Sequence, residues 1–243
     1  MTDSRLKSLA ATLAGLLILA LATLAGFLAI LLGLDPVSGL RSAIGGLFAV
    51  DSVQALWYVT RAAGIIAYLL LWLSTIWGLA VASKIFDPLL QRAFTYDMHQ
   101  FISLLAMGFV ALHVVVLVGD KYLPFSWAQV LVPFIAPYRP IWVGVGQIAL
   151  YLTILVTVTF YIRRWIGQKT FRAIHLASFL SFGGSALHGL TAGTDSPLTT
   201  VQLMYALTTL SVVFMTVYWY LITRYRPAPA PRPVPETVQR SGF

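Results

Sequence analysis

Long uncharged stretches separated by short charged ones dominate the pattern along this chain. Six runs without Asp, Glu, Lys or Arg are each 22–28 residues long, and they occupy 8–34, 62–83, 98–119, 140–162, 173–194 and 196–223. Because a helix needs about 20 apolar residues to cross a bilayer, the pattern predicts six membrane-spanning helices. A seventh run, 122–138, contains three prolines, so it predicts a surface loop with one or two interfacial helical turns.

The composition places the chain among integral membrane proteins and indicates one membrane domain. Hydrophobic residues make up 59% of it and charged residues only 10%. The first span is longer than the core of a signal peptide, so we expect a retained signal-anchor helix in residues 1–34. Residues 55–225 are expected to form the transmembrane core. The proline-rich tail, 226–243, is expected to be disordered, or to serve as an extended spacer or a docking strand for a partner.

The basic residues predict the orientation of the helices. Twelve of the 16 lysines and arginines fall at the N-terminus, in the second and fourth loops and in the tail. Positive charge stays on the cytoplasmic side, so we expect a multi-pass protein of the cell membrane with both termini in the cytoplasm. The net charge of +8 is then a topology signal and requires no nucleic-acid partner. The absence of cysteine excludes disulfides, iron–sulfur ligation and covalent c-type haem.

The chain has only four histidines, and they lie in two of the predicted spans. His99 and His113 are separated by about 21 Å along an ideal helix and lie on the same face. His175 and His188 are one residue closer in sequence, so they end about 220° apart around an ideal helix. The second helix must therefore deviate if both of its histidines face inward, and Gly183-Gly184 is the expected place for a kink or a π-bulge.

The two histidine-bearing spans are expected to run parallel, because one span lies between them. His99 then faces His175 near the cytoplasmic surface, and His113 faces His188 toward the other surface. Ionisable groups inside a membrane usually mark function, and two facing pairs at two depths suit two bis-histidine b-type haems. The alternative is that each histidine bonds to a backbone group or a hydroxyl of a neighbouring helix.

These segments resemble the ferric-reductase-like transmembrane domain. That family includes NADPH oxidases, ferric reductases and the haem subunit of bacterial methionine-sulfoxide reductase systems. The histidine spacing carries the resemblance, together with the stretches RAAGIIAYLLLWLS (61–74), FRAIHLASF (171–179) and SALHGLTAGTD (185–195). It covers the chain from about Leu56 to Tyr225. The resemblance implies an all-α, integral membrane six-helix bundle that binds two stacked b-type haems and carries electrons across the membrane.

In the oxidases and ferric reductases of this family, a flavin and nicotinamide domain follows the sixth span. About 20 residues follow that span in this sequence. We therefore expect the membrane subunit of a split reductase system, an oxidoreductase component that receives electrons from a separate cytoplasmic flavoprotein or a quinol and passes them to an outer-face acceptor. Two alternatives are a haem-bearing structural subunit of a larger electron-transfer complex and a histidine-lined metal transporter. A transporter would need carboxylates or cysteines in the spans, which contain neither.

Three arginines are candidate cofactor-binding residues. Arg92 and Arg172 precede His99 and His175, where they can neutralise haem propionates or can be ordinary cytoplasmic flanking charges. Arg61 lies near the outer end of its span, against the charge bias. The resemblance implies that it sits beside the outer haem, and the alternative is a side chain that snorkels to the surface.

Phe182 is a candidate of another kind, because it shares the helical face of His175 and lies between the two haem levels. It can shorten the distance for electron transfer, or it can simply pack in the core. Five glycines in the spans permit a close approach of helix backbones or of a flat macrocycle: Gly64, Gly108, Gly144, Gly146 and Gly189.

Overall fold

The computed structural model describes residues 54–225, and this part of the chain forms seven helices and no strand. The helices are α1 (Ala55–Ser83), α2 (Arg92–Gly119), α3 (Trp127–Leu131), α4 (Pro140–Ile166), α5 (Gln168–His175), α6 (Ala177–Ala192) and α7 (Thr199–Arg224). Among them, α1, α2, α4 and α7 are long and apolar enough to cross a membrane. The predicted all-helical membrane character is confirmed. The predicted first span and the proline-rich tail lie outside the described residues.

Local backbone chemistry sets the ends of the long helices. Helix α1 ends at Lys84, which adopts the left-handed conformation and donates its amide to the Ala80 carbonyl. Pro140 stands in the first turn of α4, where its missing amide costs no intrahelical bond. Gly167 ends α4 at a φ of 81°, which favours glycine. The predicted spans therefore have the expected helical character. Helices α1, α2 and α4 extend beyond the uncharged runs, whereas α7 begins at Thr199, three residues inside its run.

The predicted fifth span is helical in two pieces that meet at Leu176. Helix α5 ends at His175, and α6 begins at Ala177. The amide of Phe179 bonds to the Leu176 carbonyl at 3.2 Å, a tighter turn than the α-helix makes. The expected deviation is thus present, but its expected position at Gly183-Gly184 is wrong. Helix α6 is continuous through both glycines. Gly184 instead allows α6 to pack closely on α4, since a Cβ there would lie 3.1 Å from that of Ala149.

The described helices pack as two pairs that face each other. Helix α2 lies along α1, and α6 lies along α4, while α7 closes the structure against α1. The two histidine-bearing segments, α2 and α5–α6, have no comparable packing against each other. Tyr68, Leu79, Phe182, Tyr205 and Val212 form the main buried cluster between α1, α6 and α7. This arrangement leaves a gap between the helices that carry the histidines.

The segment between α2 and α4 folds against α4 instead of extending away from it. Its short helix α3 begins with a capping box, in which the Ser126 and Gln129 side chains each accept a bond from the other's backbone amide. The Gln147 side chain donates to the Gln129 carbonyl at 2.7 Å, and the Tyr151 hydroxyl donates to the Leu131 carbonyl. The prediction of a loop with one or two helical turns is confirmed for its helical part, which is the single short helix α3.

Candidate functional site

The four histidines form two pairs at two levels of the bundle. The ring centroids of His99 and His175 are 6.2 Å apart, and those of His113 and His188 are 6.4 Å apart. Both pairs have nearly perpendicular rings, with interplanar angles of 75° and 77°. We call them the His99 pair and the His113 pair. Their arrangement confirms that α2 runs parallel to α5–α6, as the sequence predicts.

Backbone carbonyls orient both imidazoles of the His113 pair. Nδ1 of His113 is 2.8 Å from the Thr60 carbonyl oxygen, and Nδ1 of His188 is 2.9 Å from the Trp142 carbonyl oxygen. A carbonyl only accepts hydrogen bonds, so Nδ1 must carry the proton in each ring. The lone pair of each Nε2 is then free to bind a metal, and the Nδ1 bond makes that nitrogen a stronger ligand.

A glycine stands four residues after each of these two carbonyls. Helical side chains point toward the N-terminus, so the residue at this position covers the carbonyl one turn earlier. A Cβ on Gly64 would lie 2.9 Å from Nδ1 of His113, and a Cβ on Gly146 would lie 2.6 Å from Nδ1 of His188. Glycine therefore provides both the space for the ring and access to the carbonyl.

The His99 pair is supported less completely. A Cβ on Gly78 would lie 3.0 Å from Cε1 of His99, so this ring also sits against a glycine. Nδ1 of His99 is buried and has no hydrogen-bond partner among the described residues. Nδ1 of His175 is buried without a partner among the described residues. None of the described glycines has the His175 ring among its nearest atoms.

A cavity of about 240 Å³ surrounds the His113 pair. Its wall is mainly apolar, and it includes both imidazoles of the pair and the two glycines that support them. Three buried oxygen atoms on residues of this wall have no hydrogen-bond partner within the described part of the chain: Thr60 Oγ1, Asp120 Oδ2 and Gln147 Oε1. Buried acceptors of this kind are normally satisfied by water or a ligand, so the cavity is suited to an occupant.

Arg61 lies on the wall of the same cavity. Its guanidinium group forms an ion pair with Asp195, with a hydrogen bond of 2.8 Å from Nε, and lies 4.1 Å from the centre of the Trp57 ring. Asp195 was not among the partners expected from the sequence, which were a haem propionate and the membrane surface. Asp195 is the only acidic residue between the last two predicted spans, which is the signal that points to it.

The other candidate residues lie farther from the cavity. Arg92 is 61% exposed in its side chain and pairs with Asp87 at 2.6 Å. Arg172 is exposed on α5, one turn before His175. Phe182 is 4% exposed and stacks on Tyr68 at 5.8 Å between ring centroids, so its surroundings are those of a core residue. None of these three lines the cavity around the His113 pair.

The pair geometry fits one metal between two imidazoles. With metal–nitrogen bonds of about 2.0–2.1 Å and about 1.1 Å from nitrogen to ring centre, two ligands in line place the ring centres about 6.3 Å apart. The described residues contain no group of three or more His, Cys, Asp or Glu side chains that could hold a bare metal ion. Two protein ligands are the number that a haem iron accepts, because the porphyrin supplies the other four.

Comparisons with known proteins give no relative. No protein-family model matches the chain, and neither the curated proteins nor the solved structures contain a match to it.

Proposed function

We propose that this protein is a transmembrane di-haem cytochrome b that carries electrons across the membrane as the membrane subunit of a split reductase system. The observation that carries this proposal is the presence of two histidine pairs at two depths, with ring separations of 6.2 and 6.4 Å. Both separations agree with the value of about 6.3 Å expected for two imidazoles that bind one metal between them. The bonds of His113 and His188 to helix carbonyls do not by themselves explain why the same ring separation occurs twice.

The residues around each pair would hold one haem b between α2 and α5–α6. The imidazoles of the His113 pair present Nε2, and the carbonyls of Thr60 and Trp142 hold the two rings in that tautomer. Bound haem would supply one-electron oxidation and reduction at each level. With a histidine on each face, neither pair offers an open position while both rings are bound.

The distance between the two pairs suits transfer across a bilayer. His99 and His113 lie on one continuous helix, so the levels are about 21 Å apart, against a hydrocarbon thickness of about 30 Å. The sequence places Phe182 between these levels, and the structure buries it against Tyr68 and Tyr205. We assign Phe182 to packing that holds α6 against α1 and α7, and therefore keeps the two levels in register.

The charge distribution favours a separate electron donor at the His99 pair. By the positive-inside rule we place this pair near the cytoplasmic side and the His113 pair near the opposite side. Lys169 and Arg172 are exposed close to His175, and Arg92, which is paired with Asp87, is exposed two turns before His99. Such a surface suits an acidic redox protein such as a flavoprotein, and a membrane quinol is the alternative donor.

Single histidine substitutions test the proposal. We expect the purified wild-type protein to carry two low-spin haems b, and we expect His113→Ala and His99→Ala to lose one haem each. Gln100→Ala is a matched control, because this neighbour of His99 makes only an exposed bond of 3.3 Å to the Tyr161 hydroxyl and should keep both haems. Absorption spectra and haem content decide the result. A wild-type protein without haem, or histidine variants that keep both haems, would refute the proposal.

A further inference from the structure

The four histidines differ in how firmly the protein holds them. In the His113 pair, each imidazole donates Nδ1–H to a helix carbonyl and sits against a glycine. In the His99 pair, within the part of the chain that the structure describes, His99 has its glycine but no hydrogen bond from Nδ1, and His175 has neither. Both histidines of the His113 pair therefore have a hydrogen bond and a glycine contact, whereas in the His99 pair only His99 has a glycine contact among the described residues.

His175 also lies beside an interruption of the α-helical hydrogen-bond pattern. It is the last residue of α5, and Leu176 separates it from α6. His188, in contrast, lies inside the continuous helix α6, with four residues following it before the helix ends. A side chain at a helix end moves at a lower cost than one within a helix, because fewer backbone hydrogen bonds fix its position.

Within the described residues, the His175 imidazole has ring contacts but no hydrogen bond from Nδ1. The Phe171 ring lies 5.3 Å from the imidazole on the same helix, and the following residue, Leu176, is 56% exposed. No hydrogen bond to the described part of the chain holds Nδ1 in place, although the atom is buried. Rotation of the imidazole away from α2 would therefore break no hydrogen bond from Nδ1 to the described residues.

Outer-shell hydrogen bonds of this type have a known effect on metal ligands. Their removal typically costs 10–100-fold in metal affinity, because the bond fixes the ring and raises the basicity of the ligating nitrogen. Among the described residues, His175 has neither the Nδ1 hydrogen bond nor the glycine contact that both histidines of the His113 pair have. Of the four imidazoles, it is the one that a competing ligand displaces most readily.

We propose that His175 is the exchangeable ligand of the His99 pair, so that a small neutral ligand of the carbon monoxide class binds there while the His113 pair stays closed. This inference rests on the proposed di-haem function. It assigns an additional ligand-binding site to one of the two haems. It also predicts that the two haems respond differently to the same ligand.

The test uses the purified full-length protein with its haems, reduced by dithionite under carbon monoxide. We expect the carbon monoxide difference spectrum to account for one of the two haems. His175→Gly should bind carbon monoxide at that haem at lower concentration than the wild type, and added imidazole should raise the concentration required. The matched variant His188→Gly should open the other haem, so that both then bind carbon monoxide.

The outcomes separate this inference from the proposed function. Wild-type protein that holds two haems and binds no carbon monoxide would overturn the exchange of His175 and leave the di-haem assignment intact. Equal binding at both haems would also overturn it, because the two pairs would then not differ. A protein without haem would refute the proposed function itself. The wild-type measurement decides the question even where a histidine variant fails to fold.

Discussion

A single methyl group added to α1 should weaken the binding of one haem and leave the binding of the other unchanged. In Gly64→Ala, the new Cβ would lie 2.9 Å from Nδ1 and 3.1 Å from Cε1 of His113. Ordinary contacts between such atoms begin at about 3.5 Å, so the ring must retreat by about 0.5 Å. That shift stretches the 2.8 Å bond to the Thr60 carbonyl beyond the usual limit of about 3.2 Å. Loss of such a bond weakens metal binding by about 10- to 100-fold, or about 1.4–2.8 kcal/mol.

Two further glycine variants make this prediction selective. Gly78 lies fourteen residues after Gly64 and supports His99, so Gly78→Ala should weaken the haem of the His99 pair instead. Gly108→Ala adds the same methyl group to α2 at a position with nothing within 4 Å, so both haems should stay. Alanine is the better helix former by about 1 kcal/mol, so haem loss in the first two variants would not reflect helix melting.

The assay is titration of haem into the haem-free protein, followed by absorption, with the retained haem identified by its midpoint potential. The expected result is that Gly64→Ala and Gly78→Ala each weaken a different haem. If both variants weakened the same haem, or if neither differed from Gly108→Ala, the assignment of these glycines to their histidines would be wrong.

The remaining predictions concern the potential of one haem and the source of electrons. Arg61→Ala leaves Asp195 without its cation, so the midpoint potential of the haem at the His113 pair should fall. Asp195→Asn should raise that potential, and the double variant should have a potential near that of the wild type. A spectroelectrochemical titration measures all three. Unchanged potentials in both single variants would mean that the ion pair does not act on the haem. The purified protein without oxygen should be reduced by dithionite and not by NADPH alone, while a flavoprotein-rich fraction added with NADPH should restore reduction. Rapid reduction by NADPH alone would contradict the split system.

The pairing of the four histidines could be predicted from the sequence, because the spacing of residues on a helix sets both their depth and the direction in which they point. His99 and His113 follow an ideal helix, so their common face could be predicted without a structure. The position of the break in the second helix could not. Paired glycines are one of the known causes of a kink, yet Gly184 packs against Ala149, and the helix is interrupted at Leu176. Which glycine packs and which one bends depends on the neighbouring helix.

The supporting residues were partly visible in the sequence. Gly64 was expected to allow a close approach, whereas Gly78 was not identified from the sequence. Its spacing of fourteen residues from Gly64, equal to that between His99 and His113, is the signal that points to it. The ion pair of Arg61 with Asp195 is different in kind. It joins the start of α1 to the loop before α7, 134 residues away, so only the tertiary fold brings the two side chains together.

The measurement that tests the central claim most directly is the number of haems per chain. A pyridine haemochrome assay on the purified protein, combined with a protein concentration from amino-acid analysis, counts them. The account predicts two haems b per chain, both released by acidic acetone because the chain contains no cysteine to tether them. One haem per chain, or none, would contradict it.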